Sequence, residues 1–252
     1  MCVRSCSRAL RAVRWRFALL LTLALAAAAC GGGSSTLSDS GPVLSAIPWT
    51  APETASYRIS TDGEQNGTAE LRVEADGGSV KLTQEFDFPG QGVKDTIAVE
   101  ADALSLRPQR VSRTIDGPEG QRVWDARYEG NSVTVDQHSE KDRRTDTLDV
   151  PTRSFDSWSD LFLWRTLAFA DGYEVSYQDV LSSGLGKPEL LSVVLKVKPR
   201  ETVSVPAGEY QAWRLEIRSG GETQTAWYAD DARRTLVRYD NGDLVFELES
   251  QE

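Results

Sequence analysis

The chain is 252 residues long, with 38 Asp and Glu against 28 Lys and Arg and a formal net charge of −10. An acid excess of this size is repelled by phosphate backbones and anionic headgroups, which sets nucleic-acid binding aside. One His and three Cys leave little material for a zinc site.

The first 29 residues carry Arg4, Arg8, Arg11, Arg14 and Arg16 with no acid, then an apolar run over residues 17–29. A basic start, a short apolar core and small residues before a cleavage point predict a secretory signal peptide. About thirteen apolar residues fall short of the roughly 20 that a bilayer span needs. Cys30 follows Ala27-Ala28-Ala29 directly and is itself followed by Gly31-Gly32-Gly33-Ser34-Ser35. A small-residue run that ends in Cys resembles the lipobox of bacterial lipoproteins, here with Ala27 where that pattern favours Leu. The resemblance implies diacylglyceryl modification of the Cys30 sulfur, cleavage before Cys30, and a chain anchored to a membrane on its extracytoplasmic face. Loss of five arginines from 28 would leave 23 basic residues against 38 acidic ones, a net charge of −15. With no polybasic patch to assist, attachment would rest on acyl chains alone. Cys2 and Cys6 fall inside the signal, so the expected mature chain has no pair for a disulfide.

Residues 30–50 read as the modified Cys and a flexible Gly, Ser and Pro linker, reaching roughly 25 Å. From 51 to 252 one β-rich domain is expected. Ala69, Leu71, Val73 and Ala75 alternate with charged residues, as do Val80, Leu82, Phe86 and Phe88, and Asp76-Gly77-Gly78 forms the hairpin turn between them. Ile97 and Val99, then Leu104 and Leu106, then Trp124, Ala126 and Tyr128, then Val133 and Val135 continue the pattern. His138 sits in a charged stretch, residues 136–142, that reads as a loop. Residues 157–167 depart from the period of two: Trp158, Leu161 and Phe162 suit a helix of about three turns, with Ser157 and Asp160 as its N-terminal cap. A helix this short needs its aromatic face packed on the sheet. Strands resume through Tyr173, Val175 and Tyr177, break over 182–188, and continue through Leu191 to Val197. The last fifty residues form a meander with turns at Val205-Pro206-Ala207-Gly208, Ser219-Gly220-Gly221, Ala229-Asp230-Asp231 and Asp240-Asn241-Gly242. Its expected inward residues are Trp213, Leu215 and Ile217, then Thr225 and Trp227, then Leu244, Phe246 and Leu248. No internal repeat is present.

Glu201-Thr202-Val203, Val205-Pro206-Ala207-Gly208, Trp213, Trp227-Tyr228-Ala229 and Leu236-Val237-Arg238-Tyr239 together resemble a family of uncharacterised bacterial envelope domains. The pattern extends upstream through Tyr128, Asp156 and Arg165-Thr166-Leu167-Ala168-Phe169. The resemblance implies a fold similar to the half-open β-barrel of periplasmic lipoprotein carriers, with a concave apolar face, and no established activity. The residue pattern independently predicts a mainly β protein: a curved antiparallel sheet or half-open barrel with one short covering helix.

No constellation points to catalysis. Ser139 beside His138 is a sequence neighbour, and adjacent side chains do not build a triad. Asp240-Asn241-Gly242-Asp243 lacks the alternating ligands and terminal Glu of a calcium loop and reads as a type I′ turn. No metal, cofactor or catalytic residue is expected, and the chain is read as a non-enzyme. The aromatics Trp158, Phe162, Trp164, Trp213 and Trp227 are the candidate ligand-lining residues, for a hydrophobic small molecule or lipid. The alternative is that they fill a dry core in a structural module that meets an envelope protein through its acidic surface.

Overall fold

The computed structural model describes residues 42, 44–184 and 186–252; the predicted signal peptide, Cys30 and most of the linker lie outside the described residues.

Fifteen strands form one open, curved sheet. The chain first runs as a meander through β1 (Glu53–Thr61), β2 (Glu64–Asp76), β3 (Ser79–Phe88) and β4 (Val93–Asp102). It continues through β5 (Pro108–Gly117), β6 (Gly120–Glu129), β7 (Ser132–Ser139) and β8 (Arg143–Asp149). A two-residue strand, β9 (Phe155–Asp156), leads into the helical segment. The return meander is β10 (Glu174–Leu181), β11 (Glu189–Val205), β12 (Gly208–Ser219), β13 (Glu222–Ala229), β14 (Leu236–Asp240) and β15 (Val245–Gln251). The order across the sheet is β8-β7-β6-β5-β4-β3-β2-β1-β15-β14-β13-β12-β11-β10-β9, so the last strand returns to pair with the first. Every pairing is antiparallel except the short parallel one between β9 and β10. The expected class, a curved antiparallel sheet with a short covering helix, is the one that forms.

The free edges are β8 and β9, and only residues 150–154 separate them in the chain. Side chains cross the gap where no ladder does. Tyr128 of β6 donates to Asp156 Oδ2 at 2.6 Å, and Arg113 of β5 donates to the Ser183 carbonyl. Arg144 of β8 likewise donates to the Gly186 carbonyl. The β8 edge is itself rich in charge, Arg-Arg-Thr-Asp-Thr-Leu-Asp, which discourages pairing with another chain.

Turn chemistry explains most of the hairpins. Gly220 and Gly221 have φ of 58° and 88° between the paired Ser219 and Glu222, which is the type I′ geometry that side chains resist. The Asp240 turn is wider than the expected two-residue form. Asp240 pairs with Val245, and the Asn241 side chain accepts from the Asp243 and Leu244 N–H groups, so four residues span the loop. His138 lies in β7 opposite Val123 rather than in a loop, because the reversal comes later, where Ser139 N–H reaches the Asp142 carbonyl. Leu104 and Leu106 belong to the turn before β5, not to a strand.

The inward faces supply a core that includes Tyr57, Ile59, Leu82, Ile97, Val99, Trp124, Leu195 and Ile217, each at most 1% exposed. The helical segment, residues 157–166, plugs the concave side. It is shorter in α character than the expected three turns: a 3-10 turn at Ser157–Ser159, one α turn, α1 (Asp160–Leu163), and a 3-10 turn at Trp164–Thr166. Its cap is Asp156 rather than Ser157; Asp156 holds extended backbone angles and its side chain accepts the Trp158 N–H. Few residues lie between the two orphan ends, and tightened 3-10 turns satisfy backbone groups there. Within residues 44–50, expected in the linker, Leu44 and Trp49 pack against the core. Ser45 donates from both N and Oγ to the Thr166 carbonyl at 2.7 Å, and Trp49 lies against Arg165.

Candidate ligand-binding site

Between the helical segment and the sheet lies a cavity of about 360 Å³. That is within the lower range of small-molecule sites. One wall is a chain of aromatic contacts. Phe86 meets Phe246 edge-on at 5.9 Å, Phe246 meets Tyr239 at 5.5 Å, and Tyr239 meets Trp164 at 6.3 Å. Strand alternation puts Phe86, Tyr239 and Phe246 inward, and the last turn of the helical segment brings Trp164 to them. Phe88, Leu181, Leu191 and Leu244 extend the apolar lining.

At one side Arg113 is clamped by Asp95, with Nε–Oδ1 at 3.0 Å and Nη2–Oδ2 at 2.6 Å. Its guanidinium carbon stands 4.4 Å from the Trp158 ring centre and 5.5 Å from that of Trp124. Such stacking suits the planar, weakly hydrated guanidinium.

The helical segment and β10 add three buried carboxyls. Asp156 caps the segment and accepts from Tyr128, and burial pushes its pKa up to about 6. Asp160 is pushed up to about 7, again chiefly by burial, although a 2.7 Å hydrogen bond from the Tyr177 hydroxyl opposes the shift. Tyr177 in turn accepts from Trp164 Nε1 at 2.8 Å, which fixes its hydroxyl toward Asp160. Asp179 is raised well above the ordinary carboxylate range by burial and by the neighbouring Asp160 and Asp156. Asp160 and Asp179 are neighbours and both line the cavity, where two carboxyls side by side resist losing both protons. Among the described residues no group of three or more His, Cys, Asp and Glu is arranged to hold a metal.

The family model described as a protein of unknown function, DUF3108, matches residues 44–249. The chain belongs to the DUF3108 family. Among solved structures, the DUF3108 chain is similar to a β-barrel-like protein of another domain of unknown function, DUF1849, from Brucella abortus. That likeness has 13% identity and a TM-score of 0.55, covering 80% of this chain and 97% of the other, and it concerns the fold. A candidate exported protein with a YmcC-like fold from Bacteroides fragilis aligns at 15% identity, over 82% of this chain and 98% of that one. Its TM-score of 0.28 is too low to carry a structural argument. No curated protein matches the sequence.

Of the aromatics singled out in the sequence, this DUF3108 domain brings Trp158 and Trp164 to the cavity. Phe162 points to the other side of the helical segment, where it shares a void of about 10 Å³ with Tyr57 and Leu71. Trp213 packs on Phe169 at 6.4 Å and donates to Asp230 at 2.8 Å. Trp227 lies on the outer face, donating to Glu201 at 2.6 Å, while its neighbours Ala226 and Tyr228 point inward. A one-residue shift in the reading of β13 exchanges its two faces. Asp160 and Asp179 were missed as site residues. A signal for Asp179 exists: it follows Tyr177 at the spacing of two, which places a carboxyl on an inward strand face.

Proposed function

We propose that this DUF3108 protein is a non-enzymatic binding module that holds a hydrophobic or lipid-like ligand in the cavity beneath its helical segment. The observation that carries this reading is the aromatic wall from Phe86 through Phe246 and Tyr239 to Trp164, which a dry core would close and which here bounds about 360 Å³. Trp158 and Trp164 border that space, so occupancy has an optical readout. A brominated long-chain alcohol should quench the intrinsic fluorescence saturably, and Leu244→Trp, which fills the space, should abolish the quenching. A flat titration in the native chain would sink the proposal in favour of a structural module that meets an envelope partner through its acidic surface.

The module is proposed to work outside the cytoplasm, tethered to a membrane through lipidated Cys30. Among the described residues no helix is long and apolar enough to cross a membrane, so the tether rests on the N-terminal pattern. Replacing Cys30 with Ser should move the protein from the membrane fraction to the soluble fraction on centrifugation; continued sedimentation with membranes would contradict the anchor.

A further inference from the structure

We infer that the occupant of the cavity is an apolar molecule carrying one ammonium group, seated on the Asp160 and Asp179 carboxyls. This rests on the binding reading above and specifies the head that the ligand brings.

The polar equipment of the cavity is unbalanced in sign. Asp179 is fully buried and lines the cavity; its Oδ1 takes the Val180 N–H at 3.0 Å, while Oδ2 receives no N–H or hydroxyl among the described residues. Asp160 stands beside it with only the Tyr177 hydroxyl directed at its Oδ1. The groups that face this pair from the packed elements are Asp156 on β9, Tyr177 on β10, Tyr128 on β6, Tyr228 on β13 and Tyr239 on β14. All are acids or phenols. Arg113, the cation lining the cavity among the described residues, is already neutralised by Asp95 and further engaged by the Ser183 carbonyl and the Trp158 ring. No positive charge is left over for an anionic head.

The consequence follows from the cost of buried charge. In the empty cavity the acid pair retains protons, since burial and mutual repulsion disfavour two carboxylates side by side. An entering ammonium replaces a proton: its N–H groups donate to the carboxylate oxygens, the displaced proton leaves to solvent, and the buried net charge is unchanged. A carboxylate head would add a negative charge beside three acids. A hydroxyl head gains only the apolar contacts and a neutral hydrogen bond.

Three probes of equal chain length separate these cases: decylamine, decanol and decanoate, titrated into the full-length chain at neutral pH by fluorescence quenching and calorimetry. Decylamine should bind about tenfold more tightly than decanol, the factor expected for one charge-assisted hydrogen bond. Decanoate should be weakest. Decylamine binding should also release a proton, seen as a heat that varies with the ionisation enthalpy of the buffer. Asp160→Asn and Asp179→Asn should erase the amine preference while decanol still binds saturably, which shows at the same time that the cavity is still formed. Equal affinity for decylamine and decanol, amine binding without proton release, or a preference that survives in both variants would overturn the ammonium inference and leave the cavity reading standing. Failure of all three probes to bind saturably would overturn the cavity reading as well.

Discussion

The two ends of the helical segment bury charge in opposite ways. At its C-terminal end Arg165 is 5% exposed and fully matched. Nη1 pairs with Glu53 at 2.7 Å, Nη2 and Nε donate to the Arg233 and Arg234 carbonyls at 2.6 and 3.0 Å, and Trp49 covers one face. Arg234 returns the arrangement by donating to the Arg165 and Leu167 carbonyls. At the N-terminal end, Asp156, Asp160 and Asp179 are as deeply buried, yet none forms an ion pair with a Lys or Arg among the described residues. A charge whose every nitrogen has a partner holds the scaffold together. An acid cluster left without a cation is a poor scaffold element, and beside an open cavity it is available to a ligand.

The sharpest way to break this contrast is at the matched end. Arg165→Met strands the Glu53 carboxylate and two carbonyls, and should lower unfolding stability by about 3–5 kcal/mol in urea denaturation. Adding Glu53→Leu should restore much of that loss, because an apolar pair can replace a buried ion pair.

The unmatched end predicts an unusual pH profile of intermediate size. A buried carboxyl whose folded pKa is raised binds more protons folded than unfolded between the two values, so stability falls as pH rises through that window. For Asp156 the window runs from 3.8 to about 6, and for Asp160 from 3.8 to about 7. The domain should therefore gain stability from pH 8 down to about pH 5, on the order of 1 kcal/mol from Asp156 alone. Below that range the depressed carboxyls of Asp102, Asp136, Glu216 and Asp230 reverse the trend as they take up protons. Asp156→Asn should flatten the upper part of the profile in denaturation midpoints measured across pH. A profile that rises from pH 5 to 8 in the native chain would remove the unmatched acids from the comparison.

The smallest effect should come from Trp227, which touches neither end. Trp227→Ala should cost no more than about 1 kcal/mol and leave probe affinity unchanged, since half-exposed surface groups contribute little. A change in binding would mean that the outer face is coupled to the cavity.

The antiparallel pattern, the main turns and the covering segment were largely legible, because alternation and glycine chemistry are local properties; β5, β8 and β9 were not read as strands. The site was legible only in part. Trp158 and Trp164 stood out by residue type, but β13 reads Thr-Ala-Trp-Tyr-Ala, and alternation does not say which of two apolar sets turns inward. The small Ala226 and the Tyr228 hydroxyl, which donates to the Leu161 carbonyl at 2.9 Å, decide it through contacts remote in sequence. Asp156 as cap and Asp160 as its buried neighbour depend on where β9 ends against β10, a register that no local pattern announces.

The gap between β8 and β9 gives the cavity a kind of clasp. Arg113, Trp158 and Leu181 line the cavity and also sit beside that gap, whose crossing bonds come from side chains such as Tyr128 and Arg113. Each such bond contributes only about 1–3 kcal/mol net. Widening the gap would break no backbone ladder, and residues 150–154 would act as the strap that keeps the two rims together. On the binding reading proposed above, a guest too long for 360 Å³ would protrude along this line, where the wall is buttoned rather than woven.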